Sequence, residues 1–188
     1  MATVDAEKKL QKRVLHWLVD DLGYTYLGNL EDIDNTPVKE DLLKANLKKR
    51  GYSDDQIKTA ISELLSKVNN QVDTLYQINR SVYSLLRYGR QGVKDEYGRR
   101  ETVHYIEWDA DKIDENDFYV AEEVSVLRYD RVTRKRPDVV LYINGIALGV
   151  FELKSSYVSA GKGIRQMLQN QKRENILNFF STAQFLFA

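Results

Sequence analysis

The chain has 188 residues, 28 Lys/Arg balanced by 28 Asp/Glu, 43% hydrophobic residues and no cysteine. That length suits one domain with a real core, and the lack of cysteine excludes a disulfide framework or a thiolate zinc site and fits a reducing cytoplasm. No stretch is long and apolar enough to span a membrane, and the charged first residues lack the apolar core of a secretory signal, so neither insertion nor export is expected.

Leu10, Val14, Leu18 and Leu22 recur every four residues, and Leu15 and Val19 widen the stripe. An amphipathic helix is therefore expected over 5–22, stopped by Gly23. Thr25 to Asn29 reads as a short strand leading into an acidic loop, Glu31 to Asp34. Three helices are expected between 38 and 88. The first follows Pro37 and ends at Gly51; the second, over 54–68, is announced by the capping-box pair Ser53 and Gln56; the third opens at Asp73 and carries Leu75, Ile78, Val82, Leu85 and Leu86. This block holds no convergent polar cluster, so it reads as a packing insert or docking surface.

Residues 87–100 contain glycine, are strongly charged and lack periodicity. They read as a loop, solvated by default, in which interleaved arginines and tyrosines also suit DNA contact. Val103 to Trp108 reads as a strand, 109–117 as an acidic loop and Phe118 to Leu127 as a strand at one side of a central sheet. His16 and His104 are the two histidines. His104 has no Ser, Cys or Asp at a spacing that supports nucleophilic catalysis.

The chemistry concentrates in 136–156, RPDVVLYINGIALGVFELKSS. Val139 to Ile143 and Ile146 to Phe151 are apolar runs on either side of Asn144-Gly145, a strong hairpin signal. Asp138 opens the first run, and Glu152 and Lys154 close the second. A turn at 144–145 brings residue 138 near 151 or 152, and Glu152 and Lys154, two apart, share a face. Two carboxylates at the end of an apolar sheet repel each other and are costly to desolvate unless a cation joins them. Hard oxygen donors of this kind suit Mg²⁺ or Mn²⁺, and a lysine beside such an ion and its water can orient or activate that water. The expectation is a metal-dependent phosphodiester hydrolase site. The bland alternative is a cross-strand Asp138–Lys154 ion pair with Glu152 as a solvated strand end. Charge distribution favours a polyanionic partner: between Arg128 and Arg173, ten Lys/Arg outnumber three acids, a local +7 against −7 elsewhere.

Pro137-Asp138, thirteen intervening residues and Glu152-Leu153-Lys154 resemble the PD-(D/E)xK nuclease motif. The wider string, including LGYTYLGN, HYIEWD, ENDFYVAEEVSV and GIRQMLQNQKRENILNFFSTAQFLFA, resembles the N-terminal endonuclease domain of the R (restriction) subunit of type I restriction enzymes. The resemblance implies an α/β, restriction-endonuclease-like fold: a mixed central β-sheet flanked by helices, with a helical insert at about 38–88 in one nuclease domain spanning 1–188. It implies Asp138, Glu152 and Lys154 as catalytic residues, with Asp138, Glu152 and the Leu153 carbonyl as metal ligands. Glu7 on the first helix is a further candidate ligand, and a helix-start charge is the equal alternative. Mg²⁺ is the implied cofactor, with Mn²⁺ able to substitute. Double-stranded DNA and the methyltransferase and specificity subunits are the implied partners. Products would be a 5′-phosphate and a 3′-hydroxyl, with cleavage away from the recognition site after ATP-driven translocation.

A helix over 164–178 is expected after Ser155 to Gly163, with Ile164, Leu168, Ile176 and Leu177 inward and Met167 flanking. The family often carries Gln-xxx-Tyr here. No tyrosine follows at that spacing, since Asn170 stands four after Gln166 and Asn175 four after Gln171. Only a glutamine carries over, Gln171 first and Gln166 second, and Arg165 and Arg136 complete the candidate DNA contacts. The chain closes on an apolar run read as a strand, which suggests a fragment cut before a helicase-like motor. No phosphate-loop motif is present for ATP. Two rivals stay open: another PD-(D/E)xK nuclease, stand-alone or in repair, and a degenerate nuclease fold serving as a DNA-binding or docking module.

Overall fold

The N-terminal leucine repeat forms α1 (Ala2–His16), followed by a π-helical turn at Trp17–Asp21. The computed structural model describes residues 2–95, 97–154 and 160–188. Strand β1 (Thr25–Asn29) precedes three helices, α2 (Glu40–Lys49), α3 (Asp54–Val68) and α4 (Leu75–Tyr88). The expected first turn of α2 is not helical. Pro37 to Lys39 pair with the hairpin instead: Val38 bridges Ile146, and the Lys39 N–H donates to the Gly145 carbonyl at 2.7 Å. Helices α3 and α4 start at capping boxes, Ser53 with Gln56 and Thr74 with Gln77.

The expected loop at 87–100 is largely a β-hairpin, β2 (Arg90–Lys94) with β3 (Arg100–Val103). Only Val93 and Val103 of its two strands are buried, so no apolar alternation betrays it. Conversely, the expected strand at 103–108 ends at Val103. The His104 N–H donates to the Tyr52 hydroxyl and its carbonyl accepts from Arg50, which takes both groups out of any ladder. The expected strand at 118–127 is split into β4 (Phe118–Glu122) and β5 (Val126–Leu127), the latter paired with β6 (Arg134–Lys135). The break is Glu123, whose φ of 52° is left-handed.

Strands β7 (Val139–Ile143) and β8 (Ile146–Phe151) form the expected hairpin, and β9 (Phe185–Phe187) lies parallel to β8. The sheet order is β1-β4-β7-β8-β9, with parallel outer pairs and antiparallel inner ones. This is an α/β architecture with a mixed five-stranded central sheet flanked by helices. One sheet face, with Val139, Leu141 and Phe151, packs on Leu18 and the end of α1. The other, with Val140, Tyr142, Ala147 and Val150, packs on Met167, Ile176, Phe179 and Phe180. Helices α2–α4 cover Ile146 and Leu148 near the turn.

The last helix, α5, runs Ala160–Asn170 rather than 164–178. Asn175 ends it by donating its side-chain amide to the Gln169 carbonyl, while the Ile176 N–H takes the Asn170 carbonyl. Its facing also differs from expectation: Met167 is core, whereas Ile164 and Leu168 are exposed. Residues 155–159 lie outside the described residues. Among the described residues no helix is long and apolar enough to cross a membrane.

Candidate active site

The β7–β8 register places the carboxylates. Asn144, at φ 52°, and Gly145, at φ 84°, form the two-residue turn that pairs Ile143 with Ile146 and Tyr142 with Ala147. Leu148 then has no partner, and pairing resumes with Leu141 opposite Gly149 and Val139 opposite Phe151. The same register carried one step further sets Asp138 opposite Glu152. Both therefore lie on the face of Val140 and Val150, at the hairpin end away from the turn. The Asp138 N–H donates to the Phe151 carbonyl at 3.2 Å, and the Leu153 N–H donates to Asp138 Oδ2 at 2.5 Å.

Energetics explain why the charges stay there. Val139, Val140, Tyr142, Ile146, Ala147 and Val150 are fully buried. Each large apolar side chain among them contributes about 2 kcal/mol by burial, so a register slip would cost on the order of 10 kcal/mol. Glu152, also completely buried, is held against its own preference. Burial, and then the nearby Asp138 charge, push its carboxyl from the ordinary 4.5 up to about 8, while Lys154, Lys135 and a hydrogen bond from Asn170 pull the other way. Asp138 is raised as well, chiefly by burial. The Leu153 N–H, Lys154 and Arg136 oppose that shift, and Glu7 adds to it.

Helix α5 supplies the other wall. Gln166 Nε2 donates to Glu152 Oε2 at 2.5 Å, and Asn170 Nδ2 donates to Glu152 Oε1 at 2.8 Å. The helix approaches the strand end closely at Gly163, where an added Cβ would be in ordinary contact, 3.4 Å from the Glu152 carbonyl and 3.5 Å from Lys154 Cγ. Gln171, the first choice from sequence, turns back to the Met167 carbonyl of its own helix at 3.2 Å. Arg165 is exposed on the outer side of α5. Lys154 Nζ donates to the Leu153 carbonyl at 3.2 Å, so the carbonyl named as a metal ligand is already occupied by an ammonium.

On the opposite wall, Glu7 is close enough to act on the Asp138 carboxyl. One turn later, buried Gln11 donates to Glu122 Oε2 at 2.7 Å and to Glu123 Oε1 at 3.4 Å. Glu123 is a fourth carboxylate beside this centre that sequence reasoning did not single out. Its N–H donates to the Asp138 carbonyl at 2.9 Å, and burial and the Asp138 charge raise its carboxyl while Gln11 opposes. The adjacent acids of AEEV were the available signal, but the left-handed backbone that turns Glu123 inward is set by tertiary contacts.

The basic stretch is less open than its charge count implies. Arg136 pairs with Glu31 and, at 2.6 Å, with Glu123, and Arg134 pairs with Asp34 at 2.9 Å. The acidic loop after β1 reaches these arginines because β1 lies next to β4 in the sheet.

Two converging carboxylates with raised proton affinity, oxygen donors throughout, fit a hard divalent cation that keeps several waters. Among the described residues no three Asp, Glu, His or Cys side chains converge closely enough to hold an ion by themselves. Any further donors would be water or backbone carbonyl.

The model of the type I restriction enzyme R protein N terminus matches residues 6–188. The chain belongs to this family. A Methanocaldococcus jannaschii protein provisionally named type I restriction enzyme MjaIXP endonuclease subunit is 40% identical over 68 residues. That alignment takes in 34% of this chain and only 6% of the relative. Membership in the R protein family gives the carboxylate pair a context, because it is a family of restriction enzymes, and the matched span contains the whole hairpin and α5.

Proposed function

We propose that this chain is the DNA-cleaving domain of a type I restriction–modification R subunit, a Mg²⁺-dependent endodeoxyribonuclease acting on double-stranded DNA in the cytoplasm. The observation that supports this most directly is the convergence of Asp138, Glu152 and Lys154 at one end of an otherwise apolar hairpin. Asp138 and Glu152 would hold one or two Mg²⁺, or Mn²⁺, with Glu7 on α1 acting through water and the Leu153 carbonyl as a further donor once Lys154 moves off it. The bound ion supplies positive charge for the phosphate and a more acidic water. Lys154 sets its charge beside both carboxylates, where as an ammonium it would orient the attacking water; to take a proton from that water it would first have to give up its own. Gln166 acts on Glu152 rather than on DNA. Arg165 is free to meet phosphate, whereas Arg136 reaches it only by exchanging Glu31 and Glu123. Sequence specificity comes from the methyltransferase and specificity subunits, and ATP is used by a motor outside this chain.

A second reading has its own support. Both oxygens of Glu152 and the Leu153 carbonyl already have protein partners, as in a degenerate centre kept as a DNA-docking module. Supercoiled-plasmid cleavage at high protein concentration separates the two. Nicking that requires Mg²⁺ or Mn²⁺, stops with EDTA and is lost in Asp138→Ala and Lys154→Ala supports the nuclease. Cleavage surviving both substitutions overturns the assignment. Metal-independent DNA binding without cleavage, repeated with the R subunit in its complex, favours the docking module.

A further inference from the structure

Asn170 has the environment of a residue retained for one contact. It is 1% exposed and sits at the last turn of α5. Its Nδ2 donates to Glu152 Oε1 at 2.8 Å, while its own Oδ1 is buried without a hydrogen-bond partner among the described residues. A buried, unmatched amide oxygen costs stability, and an apolar side chain of the same size would avoid that cost. One turn earlier, Gln166 donates to the other Glu152 oxygen at 2.5 Å. Residues four apart on a helix share a face, so a single rigid element offers one N–H to each carboxylate oxygen. Two neutral donors fix the plane of the carboxylate without adding a charge that would compete with a cation. Met167, 3% exposed and packed against Val150 and Phe179 in the same core cluster, anchors the helix that presents them.

We infer that Asn170 is a positioning residue: with Gln166 it holds the Glu152 carboxylate in the orientation that receives a divalent cation. This inference rests on the metal-binding reading of Asp138 and Glu152. It assigns Asn170 to the centre through its contact with Glu152 alone. Partners that orient a ligand without binding the ion typically change metal affinity 10- to 100-fold when removed.

The test is Mn²⁺ binding to the chain, read as free Mn²⁺ by electron paramagnetic resonance, for wild type, Asn170→Leu and Asp138→Ala. Asn170→Leu keeps the branching and number of side-chain heavy atoms, with slightly bulkier methyl ends, and removes the donor. Binding weakened about tenfold or more in Asn170→Leu, with a thermal midpoint within a few degrees of wild type, is the expected result. Wild-type affinity in Asn170→Leu, with binding abolished in Asp138→Ala, overturns the role of Asn170 and leaves the metal site standing. Undiminished binding in Asp138→Ala overturns the metal reading and the inference with it. A measurement on the unaltered protein covers the case in which Asn170→Leu does not fold. In a Mg²⁺ titration followed by ¹H–¹⁵N spectra, the side-chain amides of Asn170 and Gln166 should shift together with the ion. Signals that stay in place while Mg²⁺ binds overturn the inference.

Discussion

Glu152→Gln should make the metal-free chain more stable at alkaline pH, and the size of the effect follows from burial. The Glu152 carboxyl is completely buried and is pushed from 4.5 up to about 8. A carboxyl whose proton is held more tightly in the folded state stabilises that state when protonated. Its contribution is full below about 4.5 and is lost as pH rises through about 8. A displacement of that size corresponds to roughly 5 kcal/mol between the protonated and ionised limits. The raised Asp138 carboxyl acts in the same direction. Urea unfolding in EDTA, followed by circular dichroism from pH 5 to 9, should show stability falling with pH. Glu152→Gln should remove most of that fall. A wild-type curve that rises across this window, or one that Glu152→Gln leaves unchanged, would refute the account of Glu152 as a strained buried acid.

Other expectations are simpler to check. Mg²⁺ at a hundred times its dissociation constant should stabilise the chain by about 2.7 kcal/mol, measured as a rise in thermal midpoint that Asp138→Ala abolishes. Tyr142→Phe should be neutral or stabilising by about 1 kcal/mol in urea melts, because the Tyr142 hydroxyl is buried with no hydrogen-bond partner among the described residues. Gly145→Ala should cost roughly 3 kcal/mol by the same assay: φ is 84°, and an added Cβ would lie 2.7 Å from the Lys39 carbonyl oxygen. Ser53→Ala should cost about 1 kcal/mol by removing the acceptor for the Gln56 N–H.

The parts of the fold that sequence made legible are those whose pattern is local. Asn144-Gly145 between two apolar runs announced the hairpin, and Ser53 with Gln56 announced α3, because turn and cap chemistry act within a few residues. The β2–β3 hairpin was hidden because its residues are mostly exposed and charged. Glu123 was hidden because its conformation depends on backbone bonds to Asp138 and Pro137, remote in sequence. At the candidate centre, Asp138, Glu152 and Lys154 could be named from their spacing. Asn170 stands in the sequence only where the family's tyrosine is missing, since nothing along the helix tells that its amide meets a buried carboxylate on another element. Gln166 and Gln171 could not be ranked from sequence, because choosing between them requires knowing which way α5 faces. The structure turns Met167 inward and leaves Ile164 and Leu168 exposed.

The unpaired Leu148 makes the motif depend on counting as well as on letters. A two-residue turn at 144–145 pairs positions whose numbers add to an odd total, as Tyr142 and Ala147 do. Positions 138 and 152 add to an even one, so thirteen residues of spacing and this turn are compatible only through an odd number of supernumerary residues. Deleting Leu148 would remove the supernumerary residue and join the two parts of the ladder, with Leu141 still opposite Gly149 and Asp138 still carried opposite Glu152. A relative with twelve residues between the carboxylates would therefore bring them together through the same two-residue turn with no unpaired residue, whereas each residue of spacing beyond that requires one more unpaired residue in the hairpin.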